Sequence, residues 1–263
     1  MASRQFIDQL GRVISINYPP RRIITLVPSQ TELLFDLGLA KEVIGITKFC
    51  IHPSDKFKST AKIGGTKKLN IQKIRELKPD LIIGNKEENE QNQIGELMKE
   101  FPVWMSDING LADAIEMITG VGILTGTSEQ AHTLALGIME GFGSLKLTSK
   151  RKPAVAYFIW KDPYMIAGRN TFINDILNKA GFDNFSQLSR YPELTTQQIS
   201  ESKPDIILLS SEPYPFKDVH VNEMKIICPT AKVTVVDGEM FSWYGSRLLH
   251  APYYLQTLED IIN

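Results

Sequence analysis

A short segment occurs twice in the chain, at an offset of 125 residues. Residues 71–83 read IQKIRELKPDLII and residues 196–208 read TQQISESKPDIIL, and seven of the thirteen aligned positions are identical. Each copy has the pattern of a short helix, a Lys-Pro-Asp turn and a buried strand, because proline ends a helix and aspartate favours a turn. The repeat favours two structurally equivalent lobes over a helix–strand unit that arose twice by chance.

Short apolar runs alternate with helical patterns on both sides of the repeat. Buried strands are predicted at residues 22–27, 43–47, 80–84, 102–105, 155–160, 206–209 and 233–236. One helix is predicted to begin at Ser29 or Thr31, either of which would be its N-cap, and to end at Gly38. Another is predicted over residues 91–101. Near-continuous apolar strands that alternate with helices are typical of parallel sheets covered on both faces. The expected fold class is therefore α/β, with two Rossmann-like lobes of mostly parallel strands.

No strand pattern occurs between residues 111 and about 147. Thr127 and Gln130 have the spacing of a capping box after Gly126, which predicts a helix of about 20 residues. We therefore expect an N-terminal α/β lobe over residues 1–110, a helical bridge over 111–152 and a C-terminal α/β lobe over 153–263.

Charge and cysteine content exclude several classes of protein. The chain has 29 Lys and Arg against 30 Asp and Glu, so no global basic field exists to hold nucleic acid. Two cysteines cannot form a disulfide framework.

The first residues contain no apolar segment of the kind that defines a signal peptide. Retention in the cytoplasm and removal of an export signal from a longer precursor both stay open.

Aromatic and charged side chains follow the predicted strands, where open α/β sheets place their ligands. The aromatic side chains of this set have flat faces that stack on planar or macrocyclic ligands, and the charged ones are expected at the edge of the site. We expect ligand contacts from Phe49, Asn85, Lys86, Trp160, Tyr191, Glu239, Phe241, Trp243, Tyr244 and Arg247. The alternative for each aromatic is packing at the edge of a lobe, and for Arg247 it is bracing of the last helix.

Catalytic signatures are missing from the sequence. It contains no Gly-x-Ser-x-Gly elbow, Walker loop, HExxH or CxxC motif, so we expect no catalytic residues, no cofactor and no protein-bound metal ion. Cys50 and His52 have the spacing of two metal ligands on one strand face, but no third ligand is visible and that question stays open. Glu87 and Glu88 are interpreted as part of a solvated or ligand-contacting loop rather than as a general acid and base.

Several segments taken in order resemble the class III periplasmic substrate-binding proteins of ABC importers. They are RIITLVPSQTELL at 22–34, VIGI at 43–46, LKPDLII at 77–83, AGRNTFINDIL at 167–177 and AGFDN at 180–184. The resemblance covers nearly the whole chain and is greatest to the cobalamin-binding and ferric-siderophore-binding members. It implies two α/β lobes joined by one long helix, with the ligand in a cleft between the lobes. It also implies a periplasmic or cell-surface location.

Carried over by position, the resemblance assigns individual residues. The cleft aromatics of the cobalamin-binding members fall on Phe49, on Tyr191 and near Trp160. Two further tryptophans fall near Thr66 and on Asn85, so those two stacking faces are missing here. An aspartate and an arginine of these members fall near Glu239 and Trp243, so the acid is kept as a glutamate and the arginine is not.

Two surface glutamates of the family, which meet arginines of the membrane permease, fall on Gln72 and Gln197 in the two copies of the repeat. Loss of both charges weakens electrostatic steering toward a permease but keeps the shape of the contact.

The sequence thus predicts a monomeric, non-enzymatic substrate-binding protein that carries a corrinoid, such as cobalamin, or a ferric siderophore or haem. Its expected partners are this metal chelate and an ABC permease in the membrane, and not nucleic acid. The first alternative is a soluble ligand sensor or carrier on the same scaffold that does not dock on an importer. The second is an enzyme in the same cleft, such as a chelatase or a metal-dependent hydrolase.

Overall fold

The computed structural model describes residues 2–146 and 151–262. The chain divides into two compact units. The first unit comprises Met1–Ile108, Ala112–Ile138 and Tyr244–Arg247, and the second comprises Asn109–Leu111, Met139–Trp243 and Leu248–Asn263. Most of the expected bridge belongs to the first unit, and four residues near the C-terminus return to it. The predicted division into two lobes and a bridge stays a prediction.

Helices and strands alternate along the first half of the chain. In order they are β1 (Ala2–Ile7), β2 (Val13–Tyr18), β3 (Ile23–Thr25), α1 (Pro28–Asp36), β4 (Val43–Ile46), α2 (Ser54–Ser59), β5 (Ala61–Lys62), β6 (Gly64–Gly65), β7 (Lys68–Leu69), α3 (Ile71–Leu77), β8 (Leu81–Asn85), α4 (Gln91–Leu97), β9 (Val103–Ser106), α5 (Leu111–Thr125) and α6 (Ser128–Gly143).

The first unit is built around a five-stranded sheet in the order β5-β4-β3-β8-β9. All its neighbouring strands run parallel. Ile24, Ile82 and Leu26 are fully buried in its core, because parallel strands covered on both faces bury every side chain. The carboxyl ends of β3, β4, β8 and β9 therefore share one edge of the sheet.

The second half of the chain repeats the alternation. Its elements are β10 (Ala154–Trp160), β11 (Tyr164–Ile166), α7 (Phe172–Lys179), β12 (Asp183–Asn184), β13 (Glu193–Leu194), α8 (Thr196–Ser202), β14 (Ile206–Ser210), α9 (Asp218–Ile227), β15 (Lys232–Val236), α10 (Glu239–Ser242), a 3-10 helix (Ser246–Leu249) and α11 (Ala251–Ile262).

The second unit contains a six-stranded sheet in the order β13-β11-β10-β14-β15, with β12 paired to β10. Strands β10, β14 and β15 run parallel, whereas β11 pairs antiparallel with both β10 and β13. Phe158, Ile207 and Leu209 are fully buried in its core. The predicted α/β class with mostly parallel sheets is confirmed.

Both copies of the repeat form the same local structure. Helices α3 and α8 are each followed by a C-cap lysine, Lys78 and Lys203, with a left-handed backbone and φ of 46° and 44°. A buried strand follows each of them, β8 and β14. The helix–turn–strand unit predicted from the two segments is therefore present in each compact unit.

Some local predictions were wrong. Helix α1 begins at Pro28 without a side-chain cap, and the Thr31 hydroxyl instead donates to the Val27 carbonyl at 2.8 Å. Proline suits this first helical position because its missing N–H would have no partner there. The hairpin of β1 and β2 was not predicted, because it is short and mostly exposed and does not form an apolar run.

Helices α5 and α6 occupy the predicted strand-free region, and Gly126, with φ of 80°, separates them. Helix α6 has 16 residues, against about 20 expected. No helix among the described residues is long and apolar enough to cross a bilayer.

Candidate ligand-binding site

Phe49 is the exposed aromatic residue at the carboxyl edge of the first sheet. It lies three residues beyond β4 and is 52% exposed, although phenylalanine is normally buried. The Lys48 ammonium group lies 4.9 Å from the centre of its ring. Phe49 therefore presents an aromatic surface, with a cation beside it, at the edge where ligands of such sheets bind.

Cys50 follows Phe49 but points into the protein. Its sulfur is hydrogen-bonded to the hydroxyl groups of Thr31 and Thr47 at 3.0 and 3.1 Å. Burial raises the pKa of this thiol. Within the part of the chain that the structure describes, no group of three or more His, Cys, Asp or Glu side chains is arranged to hold a metal ion.

Asn85 is only 2% exposed and has a structural role. Its side-chain oxygen, Oδ1, accepts hydrogen bonds from the backbone N–H groups of Glu87 and Glu88, at 2.8 and 3.1 Å. Its amide group donates to the Ser106 hydroxyl at 3.0 Å. Asn85 therefore shapes the turn after β8, and its predicted ligand contact stays a prediction. Neighbouring Lys86 is exposed and pairs with Asp107.

Tyr244 and Arg247 belong to the segment that returns to the first unit. The Tyr244 hydroxyl donates to Glu88 at 2.5 Å, and burial followed by the charge of Glu88 raises the pKa of this phenol. The Arg247 guanidinium binds both carboxylate oxygens of Glu32, in α1, at 3.0 and 2.5 Å. Tyr244 is 6% exposed, so both residues fasten this segment to the first unit in the present structure.

Trp160 is the exposed aromatic residue at the carboxyl edge of the second sheet. It ends β10 and is 40% exposed. Its ring meets Tyr214 edge to face, with centroids 5.7 Å apart and an interplanar angle of 70°. Tyr191 is half-buried, with the Arg190 guanidinium 5.6 Å from its ring centre.

Phe241 and Trp243 are buried rather than presented to a ligand. Phe241 is completely buried, 4.9 Å from the Tyr157 ring. Trp243 is 6% exposed, and its indole N–H donates to Glu212 at 2.8 Å. Helix α10 and the residue after it turn both rings inward. That these rings stack on a ligand stays a prediction. Glu239, the first residue of that helix, is half-buried.

Glu212 is the polar residue of this edge that the sequence analysis missed. It lies two residues beyond β14, and its Oε1 accepts hydrogen bonds from Trp243 and from the Ser242 hydroxyl, both at 2.8 Å. Burial raises the pKa of this carboxyl, and the nearby carboxylates of Glu239 and Asp237 add to the shift. The signal is the same as for Trp160, a side chain at the carboxyl end of a buried strand, but the residues after the predicted strand 206–209 were not considered.

Gln72 and Gln197 occupy equivalent places in the two copies of the repeat. Each is the second residue of its helix, α3 or α8, and each is exposed. The Gln197 amide donates to Glu201 at 2.8 Å. Their predicted role in docking on a permease stays a prediction, as do the ligand contacts predicted for the aromatic residues.

Comparison with known proteins assigns the chain to a family. The sequence profile of the periplasmic binding proteins matches residues 23–225, so the chain belongs to this family. A vitamin B12-binding protein of Pectobacterium carotovorum is 24% identical over 240 residues, which cover 88% of this chain and 86% of that protein.

Two other proteins are similar. An uncharacterized ABC transporter substrate-binding lipoprotein, YvrC of Bacillus subtilis, is 23% identical over 76% of this chain and 67% of its own length. The structure of the periplasmic heme-binding protein RhuT from Roseiflexus sp. RS-1 superposes with a TM-score of 0.78 at 20% identity, over 92% of this chain and 97% of that one. The family and these relatives are binding proteins by name.

Proposed function

We propose that this member of the periplasmic binding protein family is the substrate-binding protein of an ABC importer and carries a metal-chelate nutrient, a corrinoid or a ferric siderophore or haem. The observation that carries the proposal is the family match over residues 23–225. Two relatives reported above are named for vitamin B12 and heme, which are both macrocyclic metal chelates. The function we propose is binding and delivery, without catalysis.

The exposed aromatic residues support a flat ligand. Phe49 and Trp160 lie at the carboxyl edges of their own sheets, and 52% and 40% of their surfaces are exposed. Aromatic surfaces left in water at such edges are typical of ligand-binding sites. We assign ligand contacts to Phe49, Trp160 and Tyr191, with Lys86 and Glu239 as polar neighbours.

A ligand screen tests this function. The purified protein is heated with dicyanocobinamide, hemin or a ferric siderophore at about 100 times the dissociation constant, where binding adds about 2.7 kcal/mol to the free energy of unfolding. For a chain of this size that energy corresponds to a rise of about 5 °C or more in the melting temperature. Metal-free protoporphyrin is the control for nonspecific apolar binding. A melting temperature unchanged by all the chelates contradicts the proposal.

Docking on a permease is the second part of the proposal. The exposed Gln72 and Gln197, at equivalent places on α3 and α8, offer two similar contacts without charge. In a pull-down with the permease of the same importer, the double variant Gln72→Lys, Gln197→Lys should lose binding. Gln187→Lys, which changes another exposed glutamine, should retain it. Equal retention by both variants would favour a sensor or carrier that uses no such contact.

We also propose that the protein works in the periplasm or at the cell surface. The names of the relatives, a periplasmic protein and a lipoprotein, support this location. Expression from the native gene followed by osmotic shock tests it, because a periplasmic protein appears in the shock fluid with a periplasmic marker. Recovery with a cytoplasmic marker alone contradicts it.

A further inference from the structure

Glu212 is held in one position by several parts of the second unit. The Ser210 hydroxyl donates to the backbone carbonyl of Glu212 at 2.5 Å. Gly238 leaves the space that the side chain occupies, since a Cβ atom at position 238 would lie 2.7 Å from the Glu212 Cγ. The carboxylate is thus placed by β14, by the turn after β15 and by α10.

The two hydrogen bonds of the carboxylate leave one of its oxygens available. Trp243 and Ser242 both donate to Oε1, and no hydrogen bond described for Glu212 goes to Oε2. A carboxylate has about four acceptor positions, so Glu212 retains acceptor capacity at Oε2. Glu212 is half-buried, and Oε2 is not among the buried side-chain atoms that lack a hydrogen-bond partner.

No cation of the described residues forms an ion pair with Glu212. Beside burial, the carboxylates of Glu239 and Asp237 raise its pKa. A partly desolvated anion without a cation lowers the stability of a fold, and such groups are concentrated at functional sites. The arrangement therefore needs a reason other than folding.

An aromatic pair lies close to Glu212 in the sequence. Tyr214 is two residues further along the same loop and packs edge to face on the exposed Trp160. The carboxyl edge of the second sheet thus contains an aromatic surface, formed by Trp160 and Tyr214, and a hydrogen-bond acceptor, the Glu212 carboxylate, which α10 holds through Ser242.

We propose that Glu212 is a specificity-determining residue of the ligand site, where it accepts hydrogen bonds from N–H or O–H groups of the chelate and disfavours chelates that carry carboxylates. The inference rests on the proposed function. A corrinoid with primary amide side chains supplies such donors, whereas the propionates of haem would face three carboxylates. Like charges brought together lower affinity, so this edge selects for amide-bearing chelates.

The test compares two ligands and three variants. Dicyanocobinamide carries amide side chains and hemin carries propionates, and their dissociation constants are measured by titration at pH 7.5. Glu212→Gln keeps the acceptor oxygen for Trp243 but presents an N–H group to the ligand. Trp243→Phe removes one of the two donors to Oε1, so the carboxylate is held by the Ser242 hydroxyl alone. Glu201→Gln, on the exposed surface of α8, removes the same charge from the same unit and is the matched control.

We expect wild-type protein to favour dicyanocobinamide. Glu212→Gln should raise the dissociation constant of dicyanocobinamide roughly 10-fold or more, as expected for loss of a hydrogen bond to a charged group. It should lower the dissociation constant of hemin. Trp243→Phe should shift the ratio of the two constants in the same direction, and Glu201→Gln should leave it unchanged. Circular dichroism of each variant confirms that the fold is retained.

The failures are distinguishable. If the wild type binds some chelate but the ratio is the same in Glu212→Gln, the inference is overturned and the proposed function stands. If the wild type prefers hemin over dicyanocobinamide, the inference is also overturned. If the wild type binds no metal chelate at all, the proposed function fails and the inference falls with it.

Discussion

Replacing Phe49 with alanine should weaken ligand binding with little effect on folding. A phenylalanine side chain covers about 150–250 Å² when buried. Because Phe49 is 52% exposed, about 100 Å² of its surface is available to a ligand. Coverage of half to all of this area is worth about 1–2.5 kcal/mol, and aromatic stacking adds about 0.5–1.5 kcal/mol. The dissociation constant of Phe49→Ala should therefore rise about 10-fold to 1000-fold.

Isothermal titration with the chelate that the wild type binds measures this effect. Ile51→Ala is the matched control, because Ile51 lies in the same loop and is 46% exposed, yet is assigned no ligand contact. Urea unfolding should show that each substitution lowers the free energy of unfolding by less than about 1.5 kcal/mol, since both side chains are half in water. Equal affinities of the two variants would refute the assignment of the ligand to the Phe49 edge.

Three further substitutions or treatments test other contacts. Glu212→Gln should raise the free energy of unfolding near pH 7.5, because burial raises the pKa of this carboxyl in the folded state and its ionised form therefore opposes folding. The gain should vanish at a pH below 4.5, the ordinary pKa of the group, since the carboxyl is then protonated in both states. Urea unfolding near pH 7.5 and below pH 4.5 measures the difference. Arg247→Met should lower the free energy of unfolding by about 1–3 kcal/mol, and Glu32→Gln in the same chain should recover most of the loss, which a double-mutant cycle measures. Cys50 and Cys228, both buried, should react with a thiol reagent only after unfolding, and rapid reaction of the native protein would contradict their placement.

The strands could be predicted from the sequence because of their burial. A parallel strand covered on both faces is apolar at nearly every position, so β8 and β14 are visible as apolar runs. The repeat placed them in equivalent positions in two units. Strands β5, β6 and β7 have two residues each and contain Gly64, Gly65 and lysines, so no apolar run marked them.

The candidate site was harder to predict, because loop sequences do not tell which side chains face inward. Phe49 and Trp160 are exposed at strand ends as expected, but a four-residue helix buries Phe241 and places the Trp243 indole on Glu212. The partner of Arg247, Glu32, is 215 residues away in sequence, and no local pattern reveals such a contact.

The most direct test of the account is the affinity of the purified protein for metal chelates. Equilibrium titrations with dicyanocobinamide, hemin and a ferric siderophore give the stoichiometry and the dissociation constant of each. We predict one bound chelate per chain with a dissociation constant in the micromolar range or below, about −8 kcal/mol or better in binding free energy. Absence of binding by all three chelates at about 100 μM would contradict the claim that this protein carries a metal-chelate nutrient.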